Sequence, residues 1–288
     1  MFQVGWSQRE NGLPIVTDLG PHPAVLLLPG MTLNSTLMPD LGVASFAVDF
    51  NEHAPATARS PDAIAMADYV AALDEVLEGE ELWRCRPRLI VGHSFGGMLA
   101  LSWLLNHRMA HPVDGLVLVG TSAGPLFDRI SLRVGRFAGR EIRIPLSQPL
   151  AVWNRRIVTR AVAFVLSGMQ HQVGRVDFRA LKRQSDLALD LAGWRNTDWR
   201  AMRSYRLAMK GLDLRARLHT LRIPTVVLHG SEDSLFAVTV AEELAAALPS
   251  AELRIVHGAG HGLPLTHGHA VVQAVHDLLD RASPTERS

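Results

Sequence analysis

The strongest constraint on the fold of this chain is a set of short runs that have no polar face. Ala24–Leu28, Arg88–Gly92, Gly115–Gly120 and Ile223–Leu228 are apolar at nearly every position. Side chains along a strand point to opposite sides in turn, so a strand with one wet face alternates apolar and polar residues. A strand apolar at every step must be covered on both sides, as in a parallel sheet held between two layers of helices. The connecting segments carry helical periodicity. Met66, Val70, Leu73 and Leu77 fall on one helical face, and Ser60 as cap, Pro61 at the first helical position and Asp62 in the first turn are start signals for that helix. Phe95–His107 reads as an apolar helix and Val238–Leu248 and Ala270–Leu279 as two more, with Val43–Phe50 and Glu252–Val256 as further strands. The predicted class is α/β, with a mostly parallel sheet flanked by helices.

The 288 residues suit one α/β core of about 200 residues carrying an insertion of about 90. A hydrophobic fraction of 48% and a charged fraction of 20% exclude wholesale disorder. The insertion falls where the strand rhythm stops. Between Leu126 and Arg217 stand 19 basic and 7 acidic residues, against 10 basic and 21 acidic in the rest of the chain. A basic block is set into an acidic body. Within it Val152, Ile157, Ala161, Phe164, Val165 and Met169 can share one broad helical face, and Trp199–Lys210 has a similar mixture. The expected organisation is a core of residues 1–125 and 218–288 with a mainly helical cap at 126–217. Trp153, Trp194 and Trp199, half of the six tryptophans, lie in that block. An apolar lid over a pocket and plain helix packing account for them equally well.

Chemistry concentrates in Gly92-His93-Ser94-Phe95-Gly96-Gly97, directly after the strand Leu89-Ile90-Val91 and directly before a helix. A serine at a sharp strand-to-helix turn has its hydroxyl pushed clear of the sheet, and a Cβ on the glycines beside it would collide with the neighbouring strand and helix. A serine hydroxyl is a poor nucleophile unless a base takes its proton and an acid orients the base. Both are available at the carboxyl ends of later strands, where catalytic groups of open parallel sheets gather. Asp233 follows Thr225–Leu228 in His229-Gly230-Ser231-Glu232-Asp233, and His261 follows Leu253–Val256 in His257-Gly258-Ala259-Gly260-His261.

Rival readings are weaker. Glu232 falls one residue short of the usual position of the acid, and Asp49 and Asp128 read as solvated loop carboxylates. His93 adjoins Ser94 but points elsewhere in a tight turn, which suits a pocket-shaping or hydrogen-bonding part. The tract His257, His261, His267, His269 lacks an acidic or cysteine partner at metal-ligand spacing. Gly258-x-Gly260 opens no helix of the dinucleotide-binding kind. Met98, Leu99 and Trp103 read as core, and Cys85 as an ordinary thiol.

The order Ser94, Asp233, His261 on this strand pattern resembles the α/β-hydrolase family over residues 15–125 and 218–282, with the basic block where that family carries its variable cap. The resemblance implies Ser94 as nucleophile, Asp233 as acid and His261 as general base. It also implies an oxyanion hole made by the backbone N–H of Phe95 and of Met31, since Pro29 has no N–H to give. Two stretches depart from the family's habit. Pro29-Gly30 stands where His-Gly is frequent, which alters a pocket wall, and Asp49-Phe50-Asn51-Glu52-His53 replaces the Asp-x-x-Gly-x-Gly-x-Ser of the family's best-known members.

A serine nucleophile selects acyl transfer and argues against the haloalkane and epoxide chemistry that the family runs with an aspartate. The expected activity is cleavage of a carboxylic ester of a small apolar acyl substrate, with no metal or organic cofactor implied. The alternative is a thioesterase or acyltransferase whose basic cap docks an acidic acyl-carrier protein or a coenzyme A phosphate. The third reading is a binding module with an idle triad. No DNA or RNA motif accompanies the basic block, so no nucleic-acid partner is expected. No apolar run approaches the roughly 20 residues of a membrane span, and no secretory signal is visible at Met1–Glu10. With a single cysteine these points favour a cytoplasmic protein, in which Asn34-Ser35-Thr36 is a chance match to the glycosylation pattern.

Overall fold

The computed structural model describes residues 15–18, 24–31, 38–50, 64–79, 83, 86–107, 112–125, 131–137, 140–145 and 199–282. Its strands are β1 (Ile15–Asp18), β2 (Ala24–Leu28), β3 (Ser45–Asp49), β4 (Arg88–His93), β5 (Gly115–Val119), β6 (Ser131–Phe137), β7 (Arg140–Pro145), β8 (Thr225–Gly230) and β9 (Ala251–Val256). The helices are α1 (Met66–Gly79), α2 (Phe95–His107), α3 (Trp199–Met209), α4 (Arg215–Leu218), α5 (Val238–Ala247), α6 (Leu263–Thr266) and α7 (Gly268–Ala282). Among the described residues seven strands form one sheet in the order β1-β3-β2-β4-β5-β8-β9, parallel throughout except for β1, which runs antiparallel to β3 with Ile15 opposite Asp49. The sequence gives no sign of β1, because Ile-Val-Thr-Asp is too short to show a period.

The wholly apolar strands are buried on both faces, in strict alternation. Leu27, Val91, Val117, Val119 and Leu228 pack toward α7 through Val271, Ala274, Val275 and Leu278. Their neighbours Leu26, Leu28, Ile90, Leu118 and Val227 pack on the opposite side with α1 and α2. At about 25 cal/mol per Å² of apolar surface, burying both faces is the main force holding the sheet together. Helix α2 lies between the sheet and α1, which explains why Met98, Leu99, Leu101, Trp103 and Leu104, on all sides of it, are at most 1% exposed.

Helix α1 buries Met66, Val70, Leu73 and Leu77 on one face together with Tyr69, Ala72 and Val76. It begins later than its start signals suggest. Ile64 and Ala65 are not helical, and the Ala65 amide donates to Asp68 Oδ2 at 2.8 Å. A third-position carboxylate reaching back to the cap amide is the return half of a capping box. Ser60, Pro61 and Asp62 lie outside the described residues.

Strands β5 and β8 are parallel neighbours in the sheet, and the chain between them returns to the carboxyl end of β5 before it runs back to start β8. There the Leu214 amide donates to the Ala123 carbonyl at 2.7 Å. Of the expected cap at 126–217, helix α3 falls on the Trp199–Lys210 segment, whereas Trp153–Gln170 lies outside the described residues. The block also holds an antiparallel hairpin, β6 with β7, where no strands were expected. The pattern was present: Leu132 and Val134 flank Arg133, and Ile142 and Ile144 flank Arg143, a period of two. The ladder shifts register between Arg133 and Gly135, which breaks that period halfway along.

Candidate active site

Strand β4 carries the chain to His93, and at Ser94 the backbone turns back into α2 with φ of +50°. This left-handed conformation is costly for any residue with a side chain. The turn is held from three sides. The Ser94 amide donates to the Val119 carbonyl at 2.9 Å, its carbonyl accepts from the Gly97 amide at 3.1 Å, and the Thr121 hydroxyl donates to the same carbonyl at 2.6 Å. The glycines are steric necessities. A Cβ on Gly96 would stand 2.0 Å from the Leu28 carbonyl oxygen, and one on Gly92 would stand 2.6 Å from the Gly97 α-carbon.

His261 reaches this turn from the loop after β9. Its Nε2 lies 3.1 Å from Ser94 Oγ and its Nδ1 lies 2.9 Å from Asp233 Oδ2, the acid arriving on the loop after β8. Because a carboxylate only accepts, Nδ1 carries the proton and Nε2 is left to accept from the serine hydroxyl. Asp233 is fixed in turn: its Oδ1 accepts from the amides of Leu235 and Phe236, both at 2.8 Å. Burial by itself would raise its carboxyl, but the adjoining His261, His229 and the Phe236 amide outweigh this and hold it below the ordinary carboxylate range. Asp233 and His261 are 1% and 4% exposed, so their attraction works in a medium far less screening than water.

The loop after β2 runs beside the serine, since a Cβ on Gly30 would lie 3.1 Å from Ser94 Cβ. Met31 follows it, half-buried against the core. Phe95 opens α2, where the amide has no acceptor within its own helix. Met31 and Phe95 thus belong to two chain segments that both adjoin Ser94.

The other candidates fall elsewhere. Glu232 is half-buried, with its amide donating to the Ala259 carbonyl at 2.8 Å. Asp49 ends β3 half-buried. His257 is exposed, and the His267 and His269 rings are 6.0 Å apart at the start of α7. Among the described residues no three His, Cys, Asp or Glu side chains gather as metal ligands. Asp128, Cys85, Trp153 and Trp194 lie outside the described residues.

Three neighbours of the site were not singled out from sequence. His229 is fully buried, donates from Nε2 to the Phe236 carbonyl at 3.3 Å and lies 4.0 Å from Asp233 Oδ2. Its position four residues before the acid was the available signal. Phe236 packs its ring 5.6 Å from that of His261. Tyr205, from α3, sets its ring 4.5 Å from Phe95 and stacks 5.5 Å from Tyr69.

A parallel sheet with a serine at a strained strand-to-helix turn, and an imidazole and a carboxylate at the ends of later strands, is the construction of a hydrolase-type α/β protein. Residues 23–268 match the alpha/beta hydrolase fold family, and the chain belongs to it. It is 29% identical over 270 residues to polyketide synthase ThaQ of Burkholderia thailandensis, a match that takes in 91% of this chain but spans 12% of the synthase. It is 26% identical over 246 residues to a pimeloyl-[acyl-carrier protein] methyl ester esterase of Aromatoleum aromaticum, covering 79% of this chain and 84% of that one. Among solved structures, a thermophilic esterase from Thermogutta terrifontis superposes with a TM-score of 0.64 at 20% identity, over 98% of this chain and 99% of that one. Among the described residues no helix is long and apolar enough to cross a membrane.

Proposed function

We propose that this protein is a serine hydrolase that cleaves a carboxylic ester of a small apolar acyl substrate through an acyl-enzyme. The observation that carries the proposal is the continuous chain of contacts from Ser94 Oγ to His261 Nε2 at 3.1 Å and from His261 Nδ1 to Asp233 Oδ2 at 2.9 Å. In the first half-reaction Ser94 Oγ attacks the ester carbonyl while His261 Nε2 takes its proton. The oxyanion that forms is held by the Phe95 and Met31 amides. The imidazolium, stabilised by Asp233, then protonates the leaving alkoxide as the C–O bond breaks. Water, activated by the same nitrogen, releases the acid and restores the serine. The block at residues 126–217 is proposed as the cap that covers the acyl group. That a relative is named a methyl ester esterase supports the ester as substrate class.

Short p-nitrophenyl esters test this directly. The wild type should release p-nitrophenolate, and Ser94→Ala should lower the rate by about 10⁶-fold while leaving the protein folded. Hydrolysis that survives Ser94→Ala would defeat the assignment.

A second reading is a thioesterase or acyltransferase on a substrate linked to an acyl carrier or coenzyme A, since the reacting groups are the same. The basic block and the likeness to part of a polyketide synthase favour it. Arg206 and Lys210 are exposed on and just beyond α3. Arg206→Glu with Lys210→Glu should slow carrier-linked substrates several-fold at low salt and little at high salt, with p-nitrophenyl esters unaffected. Equal rates on carrier-linked substrate at low salt would leave the simple ester as the reading.

A further inference from the structure

His93 is 1% exposed, beneath the reacting groups, and its two ring nitrogens face different loops. Nε2 donates to the backbone carbonyl of His261 at 2.9 Å, a bond across 168 positions of sequence. A carbonyl only accepts, so Nε2 bears the proton and Nδ1 presents a lone pair. That lone pair has no hydrogen-bond partner among the described residues. It faces Gly30, where a Cβ would stand 2.6 Å from Nδ1 and 3.1 Å from Cε1. The same ring lies 5.0 Å from the ring of His261, tilted by 48°. The His93 imidazole thus meets the backbone and the ring of His261 and abuts the loop that leads into Met31, while its own backbone is peptide-bonded to Ser94.

We propose that His93 is a positioning residue that sets the distance between Ser94 and His261 by fastening the His261 backbone, and seats the Gly30–Met31 loop against the same ring. The proposal rests on the reading of Ser94, His261 and Asp233 as nucleophile, base and acid. Asp233 restrains His261 at the ring, through Nδ1, and a second restraint is needed at its backbone. The His93 bond supplies that second restraint. Bulk alone does not account for a histidine here. Burying an imidazole with one nitrogen unpartnered opposes folding, and a leucine of similar volume would avoid that cost. A polar group kept at a net cost to folding is intelligible where it fixes a geometry that the reaction needs. A displacement of about 1 Å at a reacting group can slow a reaction about 10²-fold.

Three variants separate positioning from packing. A glutamine amide nitrogen stands the same number of bonds from the α-carbon as His93 Nε2, so His93→Gln can still donate to the His261 carbonyl. His93→Asn is polar but too short, and His93→Leu fills space without a donor. Two readouts are used: kcat and KM on a p-nitrophenyl ester, and the rate of Ser94 labelling by a fluorophosphonate probe. Relative to wild type, His93→Asn and His93→Leu should lose about tenfold to a hundredfold in kcat and in labelling rate, with KM within about twofold. His93→Gln should stay within about fivefold of wild type in both. Should His93→Asn and His93→Leu fail to fold, His93→Gln decides alone: a folded protein slowed more than tenfold overturns the proposal. If His93→Asn and His93→Leu match His93→Gln in kcat the proposal is also overturned, as it is by losses confined to KM or tracking melting temperature across all three. Failure of the underlying reading looks different, because wild type would then be unlabelled or would react equally well as Ser94→Ala.

Discussion

The two oxygens of Asp233 do different work, and this makes a one-atom substitution informative. Oδ1 is occupied by the Leu235 and Phe236 amides, whereas Oδ2 faces His261 Nδ1. In Asp233→Asn the side-chain oxygen would keep the two amide bonds, which fixes the new NH₂ group against His261. Two donors cannot share one hydrogen bond, so the imidazole must move its proton to Nε2 and give up its role as acceptor for the Ser94 hydroxyl. The expected outcome is a folded protein whose kcat falls by about 10⁴-fold with KM little changed. Steady-state kinetics beside a thermal melt checks it; a fall below tenfold would mean that the carboxylate charge and its tautomer control are dispensable. At this scale the sequence was most legible. Ser94, Asp233 and His261 each follow the carboxyl end of a strand recognisable in the sequence, and the three side chains come within hydrogen-bond reach. For His93 the sequence suggests a pocket-shaping or hydrogen-bonding part but not its partner, since a hydrogen bond spanning 168 positions has no local signature.

At the scale of elements, legibility followed the strength of the period. Helix α2 and strand β2 keep the limits expected of them, Phe95–His107 and Ala24–Leu28, because an abrupt turn or Pro29-Gly30 bounds them. Strand β1 and the hairpin β6–β7 carry weak patterns: β1 is four residues long, and a register shift interrupts β6. The docking of α3 was equally invisible, because it is a meeting of aromatic rings from three helices and a residue beyond β3. Tyr205 of α3 stacks on Tyr69 of α1 and meets Phe95 of α2 edge-on, while Phe50, just past β3, meets Tyr69 at 5.3 Å. Tyr205, 2% exposed, thereby ties α3 to the residue that follows Ser94. Tyr205→Ala should lower stability by about 3–5 kcal/mol. Combined with Phe95→Ala in a double-mutant cycle, it should show a coupling of about 0.5–1.5 kcal/mol. Urea denaturation of the four proteins measures both quantities, and strict additivity would mean that α3 rests on the core without engaging Phe95.

For the molecule as a whole, the groups that build the site also set how stability responds to acid. Burial, aided by repulsion from His261, lowers the His93 imidazole to a pKa of about 3, so it is neutral in the folded protein. In the unfolded chain it returns to about 6.5. From about pH 6.5 down to about 3 the unfolded state therefore binds a proton that the folded state refuses, and stability must fall as the pH falls across that window. The limiting slope for one such group is about 1.4 kcal/mol per pH unit. Asp233 contributes in the same direction but lower on the scale. Its carboxyl is held below the ordinary value, so its contribution is complete above the unfolded pKa and is lost as the pH falls through the folded one. The two are separable, because His93→Gln removes the first and leaves the second in place. Urea unfolding of wild type and His93→Gln at intervals between pH 4 and pH 7 should give curves that converge, or cross, toward the acid side, with the wild type losing up to about 1.4 kcal/mol more per pH unit. Parallel curves over that range would mean that the ring takes up its proton in the folded state as readily as in the unfolded one. Its Nδ1 would then be reached by water, and the picture of a sealed imidazole seating the Gly30 loop would have to be abandoned.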